Sequence, residues 1–101
     1  MDQRKRVVVI GENDEPIARL LRDAITDEPA YQAVVVPDGA LVLEMVSRVH
    51  ADLLILDVMM PGPTGIEVFE RHFKDRKIAD VIGKPFDLNL LLAKVRALCP
   101  P

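Results

Sequence analysis

Short runs of aliphatic residues alternate along the chain with longer segments in which apolar residues recur every three or four positions. The aliphatic runs lie at 7–10, 33–36, 53–56 and 81–82. They contain no alternating polar positions, which is typical of strands that are buried on both faces of a parallel sheet. Turn residues such as Gly11 and Pro37 follow the runs and mark where the strands end.

The segments between the runs carry the spacing of amphipathic helices. In the first of these segments, the apolar residues with helical spacing are Ile17, Leu20, Leu21, Ala24 and Ile25. Acidic residues and Pro16 precede them, as is common at a helix N-terminus. Further helices are predicted over 41–49, from a Thr64 N-cap to Phe73, and over 88–98.

Regular strand–helix alternation with fully apolar strands predicts an α/β fold. Right-handed crossovers between parallel strands place helices on both faces of the sheet, which gives a three-layer, doubly wound α/β/α architecture. The sequence predicts four strands and four helices. A chain of 101 residues has enough surface to bury for one core, so residues 1–101 are expected to form a single domain.

Composition narrows the functional classes. Half of the residues are apolar, 29% are charged, and the net charge is −3, which argues against direct nucleic-acid binding through a basic surface. No apolar stretch approaches the length of a membrane span or a signal-peptide core. The single cysteine, Cys99, excludes an internal disulfide. We therefore expect a small soluble domain in the cytoplasm, with no membrane contact.

Polar residues follow three of the predicted strands directly. Glu12, Asn13 and Asp14 come after the first strand, Asp57 ends the third, and Lys84 follows the last. Ligands of open α/β sheets bind at the carboxyl ends of the strands. Carboxylate and amide oxygens suit Mg²⁺, and a lysine supplies a point charge for a phosphate oxygen. Asp57 is therefore a candidate nucleophile toward a phosphoryl group.

Each of these residues also has a simpler interpretation. An acidic residue after a strand usually caps the following helix or turn, and for Glu12 and Glu15 capping is the favoured interpretation. Lys84 alone would be an ordinary solvated lysine. Asp57 differs because it directly follows four aliphatic residues and is followed by Val-Met-Met-Pro rather than by common turn residues.

Four stretches of the chain together resemble the receiver domain of two-component response regulators. They are 13–16 (Asn-Asp-Glu-Pro), 53–62 (Leu-Leu-Ile-Leu-Asp-Val-Met-Met-Pro-Gly), 65–68 (Gly-Ile-Glu-Val) and 83–86 (Gly-Lys-Pro-Phe). They occur in the family's order and span nearly the whole chain. The resemblance implies a flavodoxin-like fold and a role in phosphorelay signalling rather than an enzyme.

The resemblance also implies a role for each candidate residue. Asp57 matches the aspartate that accepts the phosphoryl group from a sensor histidine kinase or a small phosphodonor, and Lys84 matches the lysine that contacts that group. Asp14, Asp57, Asn13 and the backbone carbonyl of Met59 would hold Mg²⁺. Asn13 stands where the family more often has an acid, so weaker metal binding is expected.

The chain departs from the family by its length. Residues 74–80 connect the third predicted helix almost directly to the strand before Lys84, so the family's fourth strand and fourth helix are expected to be missing. The strand order would then be 2-1-3-4. The hydroxyl residue that the family places at the end of the fourth strand is missing with it, since no hydroxyl residue follows Thr64, and Val81 stands at the position of the switch aromatic.

These departures leave two functional interpretations. In the first, Asp57 is phosphorylated with Mg²⁺ and the output is self-association. In the second, the chain is an interaction module that dimerises without phosphorylation. Loss of a helix is expected to bare apolar surface on the sheet, and this favours a homodimer, with exchange of elements between the two copies as one possible form.

Overall fold

The computed structural model describes residues 5–49, 51–57, 79–82 and 87–100. Within these ranges, the side chains of Gly39, Leu43, Val46, Ser47, Asp57 and 79–82 are not described. The elements are β1 (Arg6–Gly11), α1 (Glu15–Thr26), β2 (Tyr31–Val36), α2 (Gly39–Val49), β3 (Leu53–Asp57), β4 (Ala79–Ile82) and α3 (Leu88–Leu98). The helix predicted from Thr64 to Phe73 lies outside the described residues.

The four described strands form one parallel sheet in the order β2-β1-β3-β4. β1 lies at the centre, where Ile10 is in register with Val35 on one side and with Ile55 on the other. β4 pairs with β3, and Ile82 is in register with Asp57. The strand order predicted from the sequence is confirmed among the described strands.

Two apolar clusters lie on opposite faces of the sheet. The first packs β1, β2 and β3 against α1 and α3, and its buried members are Val8, Ile10, Leu21, Ile25, Tyr31, Leu53, Ile55, Leu91, Val95 and Cys99. The second lies on the α2 side and comprises Val9, Val36, Val42, Leu54 and Leu56. Successive strand residues point to opposite faces, so both faces need apolar side chains. The predicted three-layer α/β fold is confirmed.

Helix α1 buries a slightly different stripe from the one that the spacing predicts. Ala18, Leu21 and Ile25 are buried, whereas Leu20 is 49% exposed. At 100° per residue, Leu20 lies about 200° around the helix from Ala18 and therefore points away from the sheet. The inclusion of Leu20 in the buried stripe was wrong.

Helix α3 buries Leu91 and Val95 against the first cluster. Leu98 continues the apolar spacing of Leu91 and Val95 but is exposed, and the buried position at this end of the helix is taken by Cys99. Among the described residues, no helix is long and apolar enough to cross a lipid bilayer.

Candidate functional site

The carboxyl ends of β1, β3 and β4 lie side by side at one edge of the sheet. Gly11, the last residue of β1, is in register with Leu56, so Glu12 leaves β1 at the level where Asp57 ends β3. On the other side of β3, the backbone of Asp57 is in register with Ile82. The structure thus places Asp57 between the segment that starts at Glu12 and the strand that leads to Lys84.

Glu12 is the residue at this edge whose environment the sequence did not predict. Only 3% of its surface is exposed, and its backbone N–H donates to the carbonyl of Val36 at 3.0 Å. This hydrogen bond continues the pairing of β1 with β2 past the end of the strand. The interpretation of Glu12 as a helix cap was wrong, because the cap of α1 is a different residue.

Asp14 is the N-cap of α1. Its backbone is extended, with φ −82° and ψ 109°, and its Oδ1 accepts a hydrogen bond from the backbone N–H of Ile17 at 3.2 Å. Its carbonyl accepts the first helical hydrogen bond, from Ala18, at 2.8 Å. One oxygen of the Asp14 carboxylate is therefore engaged by the helix, and its side chain is exposed. The capping bond satisfies an amide that would otherwise lack a partner at the helix start.

The remaining predicted site residues are described only in part. Asn13 lies between Glu12 and Asp14 and is exposed. Met59 and Lys84 lie outside the described residues, and the side chain of Asp57 is not described. Within the described part of the chain, no group of three or more His, Cys, Asp and Glu side chains is arranged to hold a metal ion. The roles assigned to Asp57, Asn13, Asp14, Met59 and Lys84 therefore stay predictions.

A signal for Glu12 exists in the sequence. Glu12 follows Gly11, and Gly11 belongs to the buried strand rather than to the turn after it. Counting the strand to Gly11 places Glu12 at the sheet edge, and Asp14, directly before Glu15 and Pro16, at the cap. Acidic residues after a strand commonly lie either at the end of the sheet or at a helix cap. Which of the two positions an acidic residue occupies therefore depends on where the strand ends.

Comparisons of the sequence and of the fold with known proteins point to the same family. The family profile of the response regulator receiver domain matches residues 8–78. Response regulator MprA of Mycobacterium leprae is 32% identical over 114 residues, covering 90% of this chain and 50% of that protein. Sensory transduction protein RegX3 of Mycobacterium tuberculosis is 29% identical over 113 residues, covering 90% of this chain and 49% of that protein.

Solved receiver domains share the fold. The receiver domain of Francisella response regulator 1452 superimposes with a TM-score of 0.82 at 20% identity, covering 93% of this chain and 96% of that one. Chemotaxis response regulator CheY4 of Vibrio cholerae gives a TM-score of 0.78 at 19% identity, covering 94% and 99%. At this level of identity the likeness concerns the fold.

The alignments also show how much of each relative this chain covers. The chain spans about half the length of the curated relatives that it matches. The alignment with RegX3 runs over 113 positions but draws on 90% of a 101-residue chain, about 91 residues, so about 22 positions of the alignment have no residue here.

The matched profile, the relatives and the fold agree: this chain belongs to the response regulator receiver domain family of two-component systems.

Proposed function

We propose that this receiver domain accepts a phosphoryl group on the carboxylate of Asp57, from a sensor histidine kinase or a small phosphodonor, in a reaction that depends on Mg²⁺. The observation that carries this proposal is the position of Asp57. It ends the strand that lies between β1 and β4, at the edge where open α/β sheets bind their ligands.

The chemistry is a single displacement at phosphorus. A carboxylate oxygen of Asp57 attacks the phosphorus atom of the donor and forms the new P–O bond. The bond from phosphorus to the leaving group breaks, and its electron pair departs with the histidine nitrogen or the acetate oxygen. Lys84, which follows β4 by two residues, would contact the transferred group as a positive point charge. The domain is thus a signalling module that is itself the substrate.

The oxygen donors near this edge fit Mg²⁺. Glu12 and Asn13 follow β1 with a carboxylate and an amide oxygen, and the carbonyl of Met59 would add a backbone ligand beside the carboxylate of Asp57. Mg²⁺ would neutralise charge that develops on the phosphoryl oxygens. We place Glu12 in this ligand set beside the sequence-predicted Asp14, because Asp14 already engages one oxygen in capping α1. Because Asn13 is uncharged, the ligand set carries less negative charge than one with an acid at this position, and we expect a lower affinity for Mg²⁺.

We further propose that the domain lacks one strand–helix unit and with it the usual switch. The support is that β4, which leads to Lys84, pairs directly with β3. The missing alignment positions, about 22 with RegX3, match the size of a strand, a helix and their loops, which is roughly 20 residues. Val81 stands at the position of the switch aromatic, and no hydroxyl residue follows Thr64. Because both residues of the usual switch are missing, we propose that the output is self-association as a homodimer.

A second candidate function is a phosphorylation-independent interaction module on the same scaffold. Asn13 in the acidic segment and Val81 at the switch position favour it, since both would weaken a phosphorylation-dependent response. Asp57 and Lys84 favour the first function.

The discriminating experiment is direct phosphorylation of the purified domain. We expect incubation with acetyl phosphate and Mg²⁺ to add one phosphoryl mass in intact mass spectrometry, and the adduct to be lost in Asp57→Asn and when Mg²⁺ is chelated. Asp80→Asn is the control, because it removes a carboxylate from the next strand and leaves Asp57 in place. No adduct in the wild type, or an equal adduct in Asp57→Asn, would contradict phosphorylation of Asp57 and leave the second function as the candidate.

A further inference from the structure

A cavity of about 310 Å³ lies at the amino ends of β1 and β3, at the opposite edge of the sheet from Asp57. Arg6 is the first residue of β1, and Asp52 directly precedes β3, so two opposite charges come to this cavity from neighbouring strands. We name it the amino-edge cavity. Its lining residues are Arg6, Asp52, Leu98, Cys99 and Pro100.

Asp52 is fixed in the wall of the amino-edge cavity by two hydrogen bonds to one residue. Its backbone N–H donates to the carbonyl of Val7 at 2.8 Å, and its Oδ2 accepts from the N–H of Val7 at 2.8 Å. The carboxylate thereby extends the pairing of β1 with β3 beyond Val8 and Leu53. A carboxylate offers about four acceptor sites, so Asp52 can hold β1 and accept hydrogen bonds from a ligand at the same time.

Arg6 brings the opposite charge to the cavity. Its backbone N–H donates to the carbonyl of Ala30 at 2.8 Å, and its Nε donates to the carbonyl of Pro100 at 3.2 Å. Because the guanidinium is planar, the contact with Pro100 orients the whole group. Its other donors belong to the two terminal nitrogens, and donors in this arrangement suit the two oxygens of a carboxylate.

The floor of the cavity is buried, and its rim is apolar. Cys99 is 5% exposed, and its carbonyl accepts a hydrogen bond from the buried hydroxyl of Tyr31 at 2.6 Å. Both wall charges act on this floor, because burial raises the pKa of the Cys99 thiol, Asp52 raises it further and Arg6 lowers it. At the rim, Leu98 is 46% exposed and Pro100 is exposed, so apolar surface lies beside the two charges.

We propose that the amino-edge cavity binds a small zwitterion with an apolar side chain, of the class of the free aliphatic α-amino acids. The carboxylate of the ligand contacts the guanidinium of Arg6, and its ammonium group contacts the carboxylate of Asp52. The aliphatic side chain covers the exposed surface of Leu98 and Pro100. A volume of about 310 Å³ is at the lower end of the range for small-molecule sites, which suits a ligand of this size.

The opposite charges of the two walls disfavour simpler ligands. A carboxylate without an ammonium group brings its negative charge near Asp52, and an amine without a carboxylate brings its positive charge near Arg6. Each of these ligands also removes water from one charged wall without replacing the lost hydrogen bonds. A ligand that carries both charges compensates both walls, and its binding does not depend on phosphorylation of Asp57.

The test is an amide NMR titration of the isotope-labelled full chain with three probes of similar size. L-leucine carries both charges, 4-methylpentanoate lacks the ammonium group, and 3-methylbutylamine lacks the carboxylate. With leucine, we expect saturable shifts at 6–7, 52 and 98–99. Each single-charge probe should bind at least about tenfold more weakly, because it loses one charge-assisted contact.

Two variants test the wall charges separately. Arg6→Gln and Asp52→Asn should each weaken leucine binding about tenfold or more, and the amide oxygen of Asn can still accept from Val7. In Asp52→Asn, leucine should also lose its advantage over 4-methylpentanoate, which a change in stability alone would not produce. Arg22→Gln and Asp23→Asn are the matched controls. They remove the same charges from an exposed ion pair on α1 and should leave leucine binding unchanged.

Three results would overturn the proposal. The first is the absence of saturable shifts with any of the three probes up to about 10 mM. The second is equal binding of leucine and 4-methylpentanoate to the wild type, which would indicate an anion site. The third is unchanged leucine binding in both Arg6→Gln and Asp52→Asn. If Asp52→Asn does not fold, Arg6→Gln and the three probes decide the question.

Discussion

Two acidic residues two positions apart, Glu12 and Asp14, have opposite environments. Glu12 is buried at the sheet edge, and Asp14 is exposed at the start of α1. The difference arises because β1 runs on through Gly11, which carries Glu12 into the sheet, before the chain turns into the helix. A carboxylate in a buried position contributes more to a cation site than an exposed one, since less solvent screens its charge.

The first prediction compares Glu12→Gln with Asp14→Asn. Both remove one negative charge and change size little, and Asn caps a helix as well as Asp does. We expect Glu12→Gln to raise the Mg²⁺ concentration needed for half-maximal phosphorylation roughly tenfold, and Asp14→Asn to change it by less than about twofold. Titration of Mg²⁺ in the acetyl phosphate reaction measures both. The reverse ranking would return the main metal-binding role to Asp14.

The second prediction concerns alkaline pH. Burial raises the pKa of the Cys99 thiol above its ordinary value of 9.0 and that of the Tyr31 hydroxyl above 10.0. Both groups ionise more readily in the unfolded chain, so the stability they contribute is complete below pH 9.0 and falls progressively above it. Urea unfolding at increasing pH should show this loss. Cys99→Ala should flatten its first part, and an unchanged profile in that variant would contradict the assignment.

At the scale of elements, the structure decides which side of each helix is buried. The eleven residues of α3 include only three polar ones, Asn89, Lys94 and Arg96, so the apolar spacing is consistent with several orientations. Its contacts with the first cluster select the side of Leu91 and Val95. Leu90 and Leu91, adjacent and identical in chemistry, therefore differ tenfold in exposure, at 71% and 7%.

The third prediction uses this pair. Leu91→Ala should lower the free energy of unfolding by about 2–4 kcal/mol, because it removes buried methyl groups and leaves a cavity. Leu90→Ala should lower it by less than about 0.5 kcal/mol, because the side chain already contacts water. Chemical denaturation of the two variants is the measurement. Equal destabilisation would show that α3 is rotated about its axis or that Leu90 is covered in an oligomer, and dilution distinguishes these two outcomes.

At the scale of the whole molecule, the chain is a receiver domain about half as long as its curated relatives. Its sequence carries a net charge of −3, which gives the domain itself no basic excess for direct nucleic-acid binding. The output proposed for the domain is self-association.

The fourth prediction concerns self-association. A receiver domain without one strand–helix unit, as proposed above, would expose apolar sheet surface, and burying that surface between two copies would stabilise a homodimer. Sedimentation velocity at high micromolar concentration should show a dimer, and beryllofluoride with Mg²⁺ should shift the equilibrium in the wild type but not in Asp57→Asn. A monomer under all these conditions would contradict self-association as the output.

The sequence by itself determined the α/β class, the strand order of the described sheet and the family, because aliphatic runs, helical spacing and strand-end motifs are local patterns with one consistent assembly. Only the tertiary structure decided that Glu12 is buried while Asp14 caps α1, that Leu20 faces away from the sheet, and that Tyr31 holds the end of α3 through Cys99. These features depend on where a strand stops and on which residues 68 positions apart meet. No local pattern contains the long-range contacts, and the local signal for Glu12 can be used only once β1 is known to run through Gly11, because both are set by the packing of the whole chain.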